Sequence, residues 1–225
     1  MNNNFNTILK DACPFGIIVG VALPPQDQRI PNDIWRKLRK EEQNYSKKLN
    51  GFRKTTWIGG RIAAHTACNI LGVDSGPILT APKGEPTISN DISLSISHKD
   101  TMAIAICAKA KHGTLGVDLE KIGKPRMGIM KKVLSDKEQE EVMALPIERQ
   151  WNSLLLRFST KEALYKSLAP KLKRYIGFNE AEVFPQTNGN TQIMLKLNNG
   201  PFPKKVEARY IWHNEYIITA VRVTW

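Results

Sequence analysis

The sequence is poor in cysteine, short of acid and without a long apolar run. Three cysteines, Cys13, Cys68 and Cys107, stand far apart in 225 residues, with no CxxC pair among them. This argues against a disulfide scaffold or a cysteine-ligated zinc site and suits a reducing compartment. The longest apolar run, Phe15 to Leu23, has nine residues, too few to cross a bilayer. Lys10-Asp11 before it and Pro24-Pro25 after it read against a secretory signal core, so a buried strand is expected there. There is no low-complexity tract and no evident repeat. With 41% hydrophobic and 24% charged residues, the chain can bury a core and is not a disordered composition.

Acids number 21 against 33 lysines and arginines, for a net charge of +12. That surplus suits a polyanionic ligand or an acidic partner. It does not choose among nucleic acid, anionic membrane, phosphorylated cofactor and acidic protein. The length fits one large domain or two small ones. The short basic segment Lys109–Gly113, near the midpoint, is the natural hinge. It divides the chain into 1–110 and 111–225.

Elements follow from local signals. Asp33 is placed to cap a short helix through Leu38, and a basic stretch runs from Lys47 to Lys54. A helix is expected from about Trp57 to Leu71, ending at Gly72, then a Pro- and Gly-rich loop over Gly76–Pro86. Strands are expected at Ile92–Ser97 and Met102–Cys107, with a turn at Lys99-Asp100, and at Leu115–Ile122. Ser135 and Glu138 have the spacing of a capping box. Pro146 opens a long helix that should end before Pro170. The tail reads as strands at Gln192–Leu197, Lys205–Trp212 and Tyr216–Val223. The fold class is therefore α+β, with helices packed on small, mainly antiparallel sheets in both halves.

Three carboxylates stand in costly places. In Leu115-Gly116-Val117-Asp118-Leu119-Glu120, strand alternation puts Leu115, Val117 and Leu119 on a core face and Asp118 and Glu120 on the other, about 6.6 Å apart. Such a pair either lies exposed or converges on a cation. In the long helix, Trp151, Leu155, Phe158 and Tyr165 form an apolar stripe whose missing member is Glu162. A carboxylate there needs compensation. Lys166, four residues on, could pair with it, or Glu162 could complete an all-oxygen set with Asp118 and Glu120, the chemistry of Mg²⁺.

These segments resemble a family. Gly116-Val117-Asp118-Leu119-Glu120-Lys121 and, 44 residues from Asp118 to Glu162, Phe158-Ser159-Thr160-Lys161-Glu162-Ala163-Leu164-Tyr165-Lys166 resemble the paired signature of the 4′-phosphopantetheinyl transferases. The two-domain type that activates enterobactin and surfactin synthetases is the nearest in pattern. Arg53 and Arg61 in Arg53-Lys54-Thr55-Thr56-Trp57-Ile58-Gly59-Gly60-Arg61-Ile62-Ala63-Ala64 look like its R-x7-R stretch. Lys83-Gly84-Glu85-Pro86 looks like its KGEP loop, and Ser95-Ile96-Ser97-His98 like its S-x-S/T-H element. Phe158 stands where tryptophan is commoner, and Ala169-Pro170 where glycines are.

The resemblance implies two similar α/β halves related by a pseudo-twofold, with coenzyme A in the cleft between them. It implies transfer of 4′-phosphopantetheine from coenzyme A to a serine of an apo acyl or peptidyl carrier protein, releasing adenosine 3′,5′-bisphosphate. By position, Arg53, Arg61 and Lys83 would serve the nucleotide phosphates, Ser97 and His98 the 3′-phosphate region, and Lys166 the pyrophosphate, with Lys161 pairing a phosphate. Asp118, Glu120 and Glu162 would hold Mg²⁺, or Mn²⁺. Glu162 is the expected base, with Glu120 acting through water as the competitor. The implied partner is an acidic apo carrier protein and the implied setting is a cytoplasmic monomer, with no nucleic acid and no membrane anchor. The basic segment Lys121–Leu134, with Lys124, Arg126, Lys131 and Lys132 around Met127, Ile129 and Met130, suits carrier docking. Two alternatives remain at this point: a basic nucleic-acid-binding protein, and a degenerate family member acting as a scaffold.

Overall fold

The computed structural model describes residues 5–25, 30–82 and 84–225. The chain forms two compact units, 1–115 and 116–225. Each sets one long helix against an antiparallel sheet, as the α+β reading expects.

In the first unit, β1 (Thr7–Cys13) pairs with β2 (Gly16–Ala22), β2 with β6 (Met102–Lys109), and β6 with β5 (Ile92–Lys99), all antiparallel. A two-strand ribbon of β3 (Leu79–Thr80) and β4 (Pro86–Thr87) lies in the predicted loop. The helices are α1 (Asn32–Arg36), α2 (Lys40–Ser46) and α3 (Gly51–Leu71). Asp33 does not cap α1; it lies in the first turn behind Pro31. Helix α3 starts six residues before the expected Trp57, because Gly51 to Thr56 continue the helix through the basic stretch, and it ends at Gly72 as expected.

The close fit of α3 on its sheet explains Gly59-Gly60. A Cβ on Gly59 would sit 2.2 Å from Leu23 Cδ2 and 3.3 Å from Ala103 Cβ, and one on Gly60 2.8 Å from Ile96 Cγ2. Two mid-helix glycines cost about 1 kcal/mol each in propensity, which the tight helix–sheet packing offsets. The core here joins Val19, Val21, Ile58, Ile62, Ala63, Ala103 and Ala105.

In the second unit the strand order is β7 (Thr114–Lys121, which begins at the unit boundary), β11 (Tyr216–Thr224), β10 (Lys205–His213), β9 (Asn190–Leu195) and β8 (Ala181–Pro185). Three helices join it: α4 (Met130–Val133), α5 (Asp136–Met143) and α6 (Ile147–Leu172). The Ser135–Glu138 capping box forms as read: Glu138 N–H donates to Ser135 Oγ and Ser135 N–H to Glu138 Oε2.

Helix α6 does not stop before Pro170. It runs to Leu172 and closes with Lys173 N–H donating to Ala169 O. The packing of Leu168 and Leu172 against Ile176, Ala181 and Val221 holds the last turn despite the proline. Among the described residues no helix is long and apolar enough to cross a membrane.

Candidate functional site

The three suspect carboxylates all lie in the second unit. Leu115, Val117 and Leu119 are core, as alternation requires, but Asp118 (5% exposed) and Glu120 (9%) are buried as well. The exposed-face reading of these two acids is therefore wrong. Helix α6 covers that region, and Gly116 lets it approach: a Cβ there would lie 1.8 Å from the Ala163 carbonyl oxygen.

Asp118 is held from two sides. Ser159 Oγ donates to its Oδ2 at 2.9 Å, and Lys166 Nζ donates to its Oδ1 at 2.8 Å and to the Val117 carbonyl at 3.0 Å. Thr219 braces Ser159, donating to its carbonyl at 2.9 Å. Glu162 is half-buried on the same helix as Ser159 and Lys166. Its pKa is raised above the ordinary carboxylate value, chiefly by burial and then by the charge of Asp118, with Lys166 opposing and Glu120 adding. Glu162 thus feels the charge of both Asp118 and Glu120.

An all-carboxylate donor set fits a hard divalent cation in charge and chemistry. Among the described residues, however, no three His, Cys, Asp or Glu side chains are gathered into a ligating cluster. Asp118 Oδ1 is engaged by the Lys166 ammonium instead.

The apolar stripe needs revision. Trp151 and Leu155 are buried, but Phe158 and Tyr165 are only half-buried, each against Phe178 with ring centroids at 5.8 and 5.5 Å. Beside Leu154, Leu156, Leu164 and Leu168, the buried side of α6 carries the polar groups of Arg157, Ser159, Thr160, Lys161 and Ser167. Glu162 therefore lies beside the helix's core face rather than in it. There it lines an open pocket of about 280 Å³ with Tyr165, Ala169, Arg174, Tyr175, Ile176 and Phe178.

Lys161 is a correction. It is fully buried, and its ammonium donates to Glu138 Oε2 at 2.7 Å and to the carbonyls of Val133 and Phe178. That ammonium ties α6 to α5 and is not presented to a phosphate.

Arg61 is a second correction. At 6% exposure, its Nε donates to Ile78 O and its Nη2 to Leu79 O and Thr80 Oγ1. Its guanidinium lies 4.2 Å from the Trp57 ring centroid, and burial pushes its pKa down to about 10. It straps the 78–80 segment to α3. By contrast, Arg53 is exposed in the first turn of α3; on β5, Ser97 is buried and His98 exposed. Lys83 lies outside the described residues.

The docking segment is not a loose loop. Met130 is buried, and Met127 and Ile129 pack partly into the core with Val133 and Trp151, leaving Lys124, Arg126, Lys131 and Lys132 exposed. Sequence reasoning missed Ser159 and Thr219 as supports of Asp118. The available signal for Thr219 was a hydroxyl in the middle of the apolar strand Ile217-Ile218-Thr219-Ala220-Val221.

Comparison with known proteins matches both units. The model of the 4′-phosphopantetheinyl transferase superfamily matches residues 114–221, and that of the 4′-phosphopantetheinyl transferase N-terminal domain matches residues 41–108. The chain belongs to the 4′-phosphopantetheinyl transferase superfamily, two-domain type. This transferase is 27% identical over 172 residues to 4′-phosphopantetheinyl transferase Svp of Streptomyces mobaraensis, covering 72% of this chain and 69% of that one. It is 29% identical over 213 residues to 4′-phosphopantetheinyl transferase Npt of Nocardia iowensis, covering 85% and 90%. It is 31% identical over 148 residues to enterobactin synthase component D of Salmonella austin, covering 64% and 59%. A solved holo-(acyl-carrier-protein) synthase from Bacillus anthracis in complex with CoA (3′,5′-ADP) overlays 48% of this chain and 93% of its own, at 18% identity and a TM-score of 0.40.

Proposed function

We propose that this transferase moves 4′-phosphopantetheine from coenzyme A to a serine hydroxyl of an apo carrier protein and releases adenosine 3′,5′-bisphosphate. The match of both units to the family carries the reading, and the shared field of Asp118, Glu120 and Glu162 supports it. In this reading those three carboxylates hold Mg²⁺, which when bound supplies neutralising charge for the pyrophosphate.

The chain's own groups do the rest. Glu162 takes the serine proton; its raised pKa makes it a stronger base than a solvated carboxylate. Ser159 and Lys166 fix the orientation of Asp118. Lys166, about a third exposed, adds positive charge for the pyrophosphate. Arg53 and His98, exposed on the first unit, serve the nucleotide phosphates, as do Ser97, next to His98 in the chain, and Lys83. An acidic carrier suits the net charge of +12.

The test is mass spectrometry of apo carrier proteins incubated with coenzyme A and Mg²⁺. The expected result is a gain of one phosphopantetheine group on the carrier serine. Asp118→Ala should abolish that gain while circular dichroism shows a folded protein. Transfer by Asp118→Ala at the wild-type rate under limiting Mg²⁺ would remove Asp118 from the metal's ligands.

A further inference from the structure

The first unit holds two thiols that the transfer reaction does not use. Cys68, near the end of α3, and Cys107, in the centre of the sheet on β6, are 39 residues apart in sequence, yet their sulfurs lie 3.2 Å apart. Both are free, and both are almost completely buried, at 1% and 0% exposure. The two elements that carry them are already packed in one core, which sets the sulfurs side by side. A covalent S–S bond is about 2.0 Å, so closure requires the sulfurs to approach by about 1.2 Å.

We propose that Cys68 and Cys107 form an oxidisable dithiol, which a peroxide converts to a disulfide that staples α3 to β6. The polar surroundings are asymmetric. The hydrogen bond with Cys107 pushes Cys68 below the ordinary thiol range, while burial and the charge of Asp74 oppose. The Cys107 thiol is pushed up by that same hydrogen bond and by burial. Cys68 is thus the attacking sulfur and Cys107 the resolving one.

The step balances. The Cys68 thiolate attacks one peroxide oxygen, the O–O bond breaks, and hydroxide leaves to take up the proton that Cys68 released. Cys68 is then a sulfenic acid. The Cys107 sulfur attacks it, the S–S bond forms, the S–O bond breaks, and the second hydroxide leaves as water with the Cys107 proton. Two electrons pass from the thiol pair to the peroxide, giving two waters. A peroxide close to water in size reaches the pair through local opening of the unit.

This inference stands apart from the transferase reading, and its test needs no carrier or coenzyme A. The full chain is treated with hydrogen peroxide or with a reductant, denatured, alkylated and digested. The expected result is a linked peptide joining Cys68 to Cys107, a mass lower by two hydrogens, and Cys13 still alkylated in its own peptide. A Cys13→Ser variant should give the same link. Because the bond closes a long loop, the oxidised protein should also melt several degrees higher than the reduced one, and reductant should reverse the shift. Peroxide that leaves Cys68 and Cys107 both alkylatable, or that links either of them to Cys13, would overturn the proposal. So would a linked protein that melts no higher than the reduced one.

Discussion

Arg61 and Glu162 show how burial reassigns a charged side chain. Arg61 looks like a phosphate ligand in sequence, but its Nε and Nη2 donors are committed to Ile78, Leu79 and Thr80. Arg61→Ala should therefore lower stability by about 2–4 kcal/mol, since it strands buried carbonyls and empties the space over Trp57. Its effect on KM should be equal for coenzyme A and for dephospho-coenzyme A, which lacks the 3′-phosphate. Thermal melts and paired kinetics check both parts, and a KM loss confined to coenzyme A would restore Arg61 as a reader of that phosphate. Glu162 carries the opposite burden. Its folded pKa exceeds the unfolded 4.5, so the native state binds more protons than the unfolded state in the window just above that value. Stability of the metal-free protein must then fall as pH rises through this window. Glu162→Gln in chelator should remove that fall, melting higher than wild type at neutral pH while losing transfer. Equal melting points at pH 7 would show that ionised Glu162 is not strained.

Between elements, the contact of β7 with α6 sets where the acids sit. Gly116 is the point of closest approach, and an added methyl would meet the Ala163 carbonyl at 1.8 Å. Gly116→Ala must push strand and helix apart, at a cost of about 1–3 kcal/mol or more. The same shift moves Asp118 relative to Ser159 and Lys166, so transfer should fall further than the loss of folded protein explains. Denaturant melts alongside initial rates, normalised to folded fraction, separate the two effects. A variant with wild-type specific activity would show that this contact serves stability alone. Helix α6 itself tolerates Pro170 in its last turn because Leu168 and Leu172 anchor that turn in the core.

For the molecule as a whole, the positive surplus should act through diffusion to its partner. Lys131 and Lys132 are exposed on α4, while their apolar neighbours Met130 and Val133 face the core. Reversing both lysines to glutamate should raise carrier KM several-fold at low salt and leave the KM for coenzyme A unchanged. The difference should shrink at high salt, because attraction beyond about 8–10 Å is screened. An unchanged carrier KM at low salt would move docking to another basic surface, such as Lys171–Arg174.

Local pattern alone was enough for the starts of the strands at Ile92 and Met102, the Ser135 capping box and the end of α3 at Gly72, because each depends on neighbours within a few residues. The same pattern misjudged what depends on distant neighbours. Alternation could not tell that the second face of β7 is covered, since the cover is α6, more than forty residues away. Heptad spacing put Glu162 in a core stripe, whereas the buried face of α6 joins Leu154, Leu156, Leu164 and Leu168 with Ser159, Thr160 and Lys161, which are made tolerable inside by Asp118, the Leu156 carbonyl and Glu138. Cys68 and Cys107 read as isolated thiols until α3 lay on β6. The physical reason is common to all three: burial of a polar or reactive group is decided by its partners, and those partners arrive only when the chain has folded.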